Sequence, residues 1–382
     1  MRFIHTSDWH IGRQFHSQSL LDDQRQVLEQ LLEHIDREAV DALVVAGDVY
    51  DRSVPPAAAV ELLDDLLHRI TEERGVPVVM IPGNHDSAER LAFGARQLRK
   101  AGLHIVAGLG ESATPVTLGG VDFYGIPYND PERVRACFGC AVKTHDEAHR
   151  FLVERIEAQT QTRARQVPRV LVSHCFIDGA EESESERPLS IGGADRVDFR
   201  PLVDFDYVAL GHLHSPQYRG REHIRYAGSL LKYSFSEQHQ KKGVTLVDID
   251  PQAPAGERVQ TRLLPLSPPR DMRVIEGELA ELLERGRTDP HHQDYLLVRL
   301  TDRHALLDPM GKLRAVYPNV LQLEKPGMLE TGEQRANREQ LKRGELAMFR
   351  DFFSQVTGRA LADDQDAALR ATLERLQREG DA

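Results

Sequence analysis

Nearly uninterrupted apolar runs that end in short polar motifs are the feature that most constrains this chain. Runs such as ALVVAGD and VPVVMIPG are rich in β-branched residues and are typical of strands buried on both faces. Amphipathic helical stretches alternate with them, including one whose apolar stripe contains Leu28, Leu31 and Ile35. This alternation predicts a layered α/β domain, and the hairpin-like later half predicts a β-sandwich flanked by helices.

The predicted strands fall between residue 1 and about residue 250. They are Arg2–Thr6, Ala42–Ala46, Val76–Ile81, His104–Val106, Val121–Ile126, Arg169–Ser173, Tyr207–Leu210, Ile224–Ala227 and Val244–Ile249. Helices are predicted near Pro56–Ile70 and Leu91–Leu98.

The proline-containing sequence LSPPRD interrupts this pattern and indicates a linker. We therefore predict a main domain over residues 1–268 and a small α/β capping domain over residues 271–327. A polar linker over residues 328–342 then leads to C-terminal helices over residues 343–378.

The overall composition limits the classes of function. A net charge of −12 argues against a simple nucleic-acid binder with a basic face, but bound cations can make a site in an acidic protein electropositive. Three cysteines indicate a reducing compartment, and the first residues do not resemble a signal peptide. We expect a cytoplasmic protein.

Five polar motifs follow predicted strands in chain order. They are Asp8-Trp9-His10, Gly47-Asp48-Val49-Tyr50-Asp51, Gly83-Asn84-His85-Asp86, Ser173-His174 and Gly211-His212-Leu213-His214. Because residues i and i+2 of an extended backbone point the same way, the first and last motifs can each present two ligands to one point. The carboxyl ends of strands are where α/β sheets gather their active sites.

The candidate ligands combine carboxylate, amide and imidazole groups: Asp8, His10, Asp48, Asn84, His174, His212 and His214. This set suits Mn²⁺, Fe²⁺ or Zn²⁺ better than Ca²⁺. It contains no thiolate, whereas a closed structural zinc site usually has cysteine ligands. Seven ligands are too many for one tetrahedral ion and suit two ions. Asp48 is the natural bridging carboxylate, in the arrangement of two-metal hydrolases.

These motifs resemble the calcineurin-like metallophosphoesterase superfamily over residues 1 to about 250. Within it, the whole chain resembles the SbcD family of bacterial nuclease subunits, which are related to the double-strand-break repair nucleases of eukaryotes and archaea. The resemblance rests on MRFIHTSDWHIGR, GDVYDRSVPP, IPGNHDS, EESESERPLSIGG and YAGSLLKYSFSE. It implies a β-sandwich with flanking helices, a capping domain and C-terminal helices.

The resemblance also implies roles for individual residues. One ion would be held by Asp8, His10, Asp48 and His214, and the other by Asp48, Asn84, His174 and His212. Mn²⁺ is the implied metal, with Mg²⁺, Fe²⁺ and Zn²⁺ as alternatives. The catalytic pair would be His85, as proton donor or phosphate contact, and Asp86, which would fix its tautomer; Asp51 and Arg52 could orient the bridge or touch phosphate.

The implied activity is that of a DNA endonuclease and exonuclease acting with an SbcC-like coiled-coil ATPase. Such an enzyme opens DNA hairpins and processes double-strand ends, as a homodimer within a heterotetramer. The first C-terminal helix, with its apolar stripe, would contact the ATPase. That stripe consists of Leu346, Phe349, Phe352, Phe353 and Val356.

Two alternatives stay open at this point. A small-substrate phosphoesterase, such as a cyclic-nucleotide phosphodiesterase or a protein phosphatase, would need no terminal helices. A non-catalytic scaffold on the same fold would have lost ligands, whereas every matched ligand position is intact. We also expect the acidic run from Glu181 to Glu186 to point away from the cleft or to be mobile, because its charge would repel DNA there; its simplest interpretation is a solvated loop.

Overall fold

The chain divides into two units, Met1–Met272 and Arg273–Ala382. The computed structural model describes residues 1–161, 167–186, 195–254, 256–302, 304, 306–325, 350, 353, 359 and 361–380. Within these ranges, none of the helices combines the length and the apolar character that crossing a membrane requires.

The strands are numbered in chain order over the described residues. They are β1 (Arg2–Thr6), β2 (Gln14–Phe15), β3 (Gln18–Ser19), β4 (Ala42–Ala46), β5 (Val78–Ile81), β6 (Leu103–Ile105), β7 (Val116–Leu118), β8 (Val121–Ile126), β9 (Arg169–His174), β10 (Phe176–Ile177), β11 (Arg196–Val197), β12 (Tyr207–Gly211), β13 (Gln217–Arg219), β14 (Arg221–Tyr226), β15 (Gly243–Ile249), β16 (Val259–Pro265), β17 (Met272–Gly277), β18 (Tyr295–Leu300) and β19 (Val320–Glu324).

The α-helices are numbered in the same way. They are α1 (Leu21–Glu38), α2 (Ala57–Thr71), α3 (Ala88–Leu91), α4 (Ala95–Leu98), α5 (Pro131–Phe138), α6 (His145–Gln161), α7 (Leu279–Gly286), α8 (Pro309–Arg314) and α9 (Asp363–Gly380).

The first unit contains two six-stranded sheets. The first has the order β16-β15-β1-β4-β5-β6, and its strands β1, β4, β5 and β6 are parallel. The second has the order β13-β14-β12-β9-β8-β7, and its four central strands are parallel while the two edge strands are antiparallel. In each sheet, the carboxyl ends of the central strands therefore lie at one edge.

The two sheets pack face to face through one apolar core. Phe3 of β1 makes edge-to-face contacts with Phe123 of β8 and Tyr207 of β12, at ring-centroid distances of 5.4 and 5.8 Å. Alternate residues of the same strands are buried on the outer faces, where helices exclude water. Leu152 and Ile156 of α6 lie in the core that covers the second sheet. The β-sandwich with flanking helices is therefore confirmed.

The second unit contains a three-stranded sheet with the order β17-β18-β19. Its core is apolar and includes Leu282 of α7, Val298 of β18 and Leu313 of α8. Strands and helices thus form where the sequence predicts a small α/β domain.

Predicted and observed elements differ where local backbone bonds override the apolar pattern. The third predicted strand begins two residues late, because the N–H of Val76 still bonds to the carbonyl of Ile70 at the end of α2. The predicted helix Leu91–Leu98 is two single turns instead, α3 and α4. The turns are separated by Gly94, whose φ of 73° is left-handed and cannot continue a helix.

The predicted partner-binding stripe falls mostly outside the described residues. Leu346, Phe349, Phe352 and Val356 are not described, whereas Phe353 is described as helical and half-buried. The later helix of the predicted pair is present as α9.

Candidate metal centre

All five polar motifs lie at the carboxyl ends of central strands. The Asp8 and Asp48 motifs follow β1 and β4, and the Asn84 motif follows β5, all in the first sheet. His174 ends β9 and the His212 motif follows β12, both in the second sheet. Since the sheets pack face to face, the two sets of side chains meet at one end of the sandwich.

The backbone that carries these motifs is strained. Asp8, His10, Asp48 and His212 have positive φ values of 52°, 46°, 51° and 108°, in a region that residues with a Cβ atom rarely adopt. Such strain persists only where the surrounding structure enforces it, and it concentrates at functional sites.

A glycine permits the close approach of two chain segments here. A Cβ atom on Gly83 would lie 2.2 Å from Oδ1 of Asp48, well inside van der Waals contact. Any larger residue at this position would displace the carboxylate that the sequence predicts as the bridge.

His10, His214 and Asp48 form one half of the cluster. The Nε2 atoms of His10 and His214 are 3.1 Å apart, and Nε2 of His10 is 3.6 Å from Oδ2 of Asp48. A donor oxygen of Asp8 and ring nitrogens of His10 and His214 all lie within 4.8 Å of one another. This half has the ligand types and the spacing of a cation site.

Asn84, His174 and His212 form the other half. Nδ1 of His174 donates to the carbonyl of Ala46 at 2.8 Å, so the lone pair of a neutral His174 is on Nε2. That Nε2 atom is 2.9 Å from Oδ1 of Asn84 and 3.6 Å from Oδ2 of Asp48. Three acceptors that face one another at these distances repel unless a cation lies between them, so these residues fit a bound metal ion.

Burial controls the protonation of the cluster. It lowers the pKa of His10 well below the usual value and that of His212 to about 3, so both imidazoles are neutral and can offer lone pairs. Burial, together with the nearby charge of Asp48, raises the pKa of Asp8 well above the usual value. Crowded carboxylates and neutral imidazoles are the groups that a divalent cation stabilises.

The expected pairing of Asp86 with His85 is wrong. Nδ1 of His85 donates instead to the backbone carbonyl of Asp51 at 2.8 Å, which leaves Nε2 facing the cluster, 4.0 Å from Oδ2 of Asp48. The Asp86 carboxylate turns the other way and accepts backbone N–H groups from Val49, Tyr50 and Gly83 at 2.9–3.1 Å. Asp86 therefore holds the two loops together, and Asp51 orients His85.

Asp51 and Arg52 lie beside the cluster. Oδ1 of Asp51 is 3.7 Å from Nδ1 of His10 and 3.2 Å from Nη1 of Arg13. Arg52 is 65% exposed in its side chain and lies 3.6 Å from Oδ2 of Asp51. An exposed guanidinium beside the cluster is suited to contact phosphate oxygens.

The end of the acidic run turns toward the site, contrary to expectation, although Glu181, Glu182 and Glu184 are exposed. Ser185 Oγ lies 2.6 Å from Nδ1 of His214, and Oε1 of Glu186 accepts the backbone N–H of His214 at 2.6 Å. Glu237 accepts the Ser185 hydroxyl and pairs with Lys242, and both of these charged residues are buried. The sequence pattern did not identify these residues as part of the site.

Only a weak signal in the sequence points to these contacts. Ser185 and Glu237 are 52 residues apart, and each lies among polar residues that are typical of solvated loops. Both nevertheless fall within EESESERPLSIGG and YAGSLLKYSFSE, segments that carried the family resemblance.

Comparisons with known proteins agree with this geometry. Residues 1–216 match the family described as calcineurin-like phosphoesterase, and residues 268–357 match the type 5 capsule protein repressor C-terminal domain family. A protein of Staphylococcus saprophyticus, named as the SbcD subunit of the nuclease SbcCD, is 35% identical, with 100% of each chain covered. The protein of the same name from Staphylococcus epidermidis is 34% identical, again with 100% of each chain covered.

A solved structure from Thermus thermophilus aligns with 69% of this chain and 98% of its own, at 12% identity and a TM-score of 0.39. The full-length identity to the two staphylococcal proteins, together with the phosphoesterase match over the residues that form the cluster, identifies the family. The chain belongs to the SbcD nuclease family of the calcineurin-like phosphoesterases, enzymes that hydrolyse phosphodiester bonds.

Proposed function

We propose that this chain is the Mn²⁺-dependent catalytic subunit of a DNA nuclease that opens hairpins and trims double-strand ends. One observation carries the proposal of a metal-dependent site: Nε2 of His174 and Oδ1 of Asn84 face each other at 2.9 Å, an arrangement that a shared cation stabilises. Mixed nitrogen and oxygen ligands without thiolate favour Mn²⁺ over Ca²⁺.

The two halves of the cluster would each hold one ion. Asp8, His10 and His214 would hold the first, and Asn84, His174 and His212 would hold the second, with Asp48 bridging them. Two divalent ions in such a centre generate a nucleophile from water near neutral pH and offset the negative charge of the reacting phosphate.

The chain itself would supply the remaining chemistry. The bond from Nδ1 to the Asp51 carbonyl fixes the His85 ring with Nε2 facing the cluster. In the imidazolium form, with a second proton on Nε2, this ring would give a proton to the leaving oxygen or donate a hydrogen bond to the phosphate. Arg52 would contact a neighbouring phosphate, because its side chain is exposed at the rim. The positive charges of Arg52 and of the bound metal ions would attract DNA to this site, although the net charge of the chain is −12.

An SbcC-like ATPase is the proposed partner, because the curated relatives are named as subunits of SbcCD nucleases. We place its docking site in residues 343–378 and assign residues 271–327 to a capping domain, linked by residues 328–342. A cytoplasmic location suits a DNA substrate and three cysteines that are all free. A small-substrate phosphoesterase would need neither the capping domain nor the terminal helices.

A homodimer is proposed from exposed apolar side chains near the motifs. Val54 and Phe93 are 63% and 87% exposed, and Val60 and Leu98 are also exposed. They lie on α2, on α4 and on segments next to α2 and α3, close in sequence to the Asp48 and Asn84 motifs. Pairing through this surface would bring two metal centres to one DNA end, within a heterotetramer completed by two ATPase chains.

The metal assignment predicts different results for Asp48 and His10. Asp48→Asn should empty or cripple both sites, because the bridge serves both ions, whereas His10→Ala should mainly weaken one. Elemental analysis and Mn²⁺ titration of the purified variants measure the effect. Two fully bound ions in Asp48→Asn would exclude Asp48 as the bridge.

His85→Ala should keep both ions and DNA binding yet cleave about 10²–10⁴ times more slowly, which is the usual contribution of general acid catalysis. The measurement is single-turnover cleavage of a hairpin DNA in Mn²⁺, compared with Mg²⁺, at saturating enzyme. Loss of metal from this variant would instead make His85 a ligand.

Deleting everything after Gly344 should abolish ATPase binding and leave Mn²⁺-dependent cleavage of single-stranded DNA nearly intact. Co-purification with the ATPase and nuclease assays with and without it test this. A truncated chain that still co-purifies at equal stoichiometry would transfer the docking site to the capping domain. Full activity on cellular DNA of a shorter chain, truncated near residue 270, would favour the small-substrate alternative.

Phe93→Ser should weaken the homodimer roughly 100-fold, because a symmetric contact loses the same apolar side chain twice, at about 1.5 kcal/mol or more for each copy. Sedimentation velocity at several concentrations measures the dissociation constant. Leu307→Ser is the matched control, since Leu307 is 83% exposed and lies in the second unit. An unchanged dissociation constant in Phe93→Ser would exclude this surface.

A further inference from the structure

The backbone and side chain of His214 are held by polar groups on every side. Its N–H donates to Glu186 at 2.6 Å, and its carbonyl accepts from Nζ of Lys242 at 2.7 Å. Its Nδ1 atom lies 2.6 Å from Ser185 Oγ, and only Nε2 faces the candidate metal centre. The described part of the chain thus leaves one ring nitrogen for an ion.

Ser185 and Lys242 are joined through Glu237 in a continuous chain of hydrogen bonds behind the imidazole, which we call the Ser185 relay. Nδ1 of His214 contacts Ser185, the Ser185 hydroxyl donates to Oε1 of Glu237, and Oε2 of Glu237 pairs with Lys242. Glu237 has no solvent exposure and Lys242 is 5% exposed. A buried ion pair of this kind is costly to desolvate, so its presence is not explained by stability alone.

The direction of donation in the relay follows from the charges. Glu237 can only accept, because it is ionised beside the Lys242 ammonium, so the Ser185 hydroxyl donates to it. The Ser185 oxygen must then accept from His214, which places the proton of that imidazole on Nδ1. The lone pair is left on Nε2, which lies 3.1 Å from Nε2 of His10.

We propose that Ser185, Glu237 and Lys242 are positioning residues that fix the tautomer and orientation of His214 and thereby set the affinity for one metal ion. This inference rests on the proposed metal centre. The other half of the centre is built differently, because His174 is oriented by the backbone carbonyl of Ala46. Removing the Ser185 hydroxyl should therefore weaken one ion and spare the other.

The first measurement is Mn²⁺ titration by calorimetry and by electron paramagnetic resonance, with the full-length chain. Ser185→Ala should lose about 10–100-fold in affinity at one site, the usual effect of removing a group that orients a metal-ligating histidine. The second site should bind as in the wild type. Ser112→Ala is the matched control, because Ser112, like Ser185, is a buried serine, and its hydroxyl bonds only to the carbonyl of Leu109 among the described contacts.

The second measurement needs no metal. Nitrogen-15 spectra of the metal-free chain should show His214 with its proton on Nδ1, assigned by loss of the signal in His214→Gln. Ser185→Ala should give a mixture of tautomers, and Ser185→Thr, which restores the hydroxyl, should restore both the spectrum and the affinity. Thermal unfolding verifies that each variant is folded.

Unchanged affinities and an unchanged tautomer in Ser185→Ala would overturn the inference. Equal loss at both sites with a lowered melting temperature would also overturn it, since that result indicates a merely structural serine. Failure of the proposed metal centre can be distinguished from failure of this inference. If the metal centre is wrong, the wild-type chain itself binds fewer than two ions, whereas the metal-free spectrum still reports the tautomer of His214.

Discussion

The packing of one sheet against the other is the interaction on which the site depends. Neither sheet carries a complete set of ligands: Asp48 and Asn84 follow strands of the first sheet, whereas His174 and His214 come from the second. The aromatic contacts of Phe3 with both Phe123 and Tyr207 hold the two sheets face to face. Apolar burial thus places polar groups at distances that their mutual repulsion would otherwise forbid.

That repulsion destabilises the loops at the carboxyl ends of the strands. Asp8 and Asp48 are both buried, and the pKa of Asp8 is raised because its charged form is poorly solvated there. Positive φ values at four of the motif residues add strain to the same loops. A cation that binds these groups offsets both costs, so affinity for metal and stability of the fold are coupled.

The sequence predicts the fold and the cluster well, because each depends on local pattern. Buried strands such as Ala42–Ala46 appear as apolar runs, and the polar motifs that follow such runs indicate the ligands of the cluster. The hydrogen-bond partner of His85 could not be predicted, because it is the backbone carbonyl of Asp51. Every residue has such a carbonyl, so the sequence does not indicate which one accepts the bond. The Ser185 relay was equally hidden, since its members meet only after the chain has folded.

The two halves of the centre differ in whether a substitution can change the group that orients the metal-binding histidine. The group that orients His174 is a backbone carbonyl in a central strand, and no substitution of Ala46 can remove it. The groups that orient His214 are side chains, and each can be exchanged without breaking a strand. One half is therefore fixed by the fold, while the affinity of the other depends on residues that lie outside the metal-ligand motifs. A phosphoesterase sandwich can in this way keep its chemistry constant while the binding of one ion is tuned.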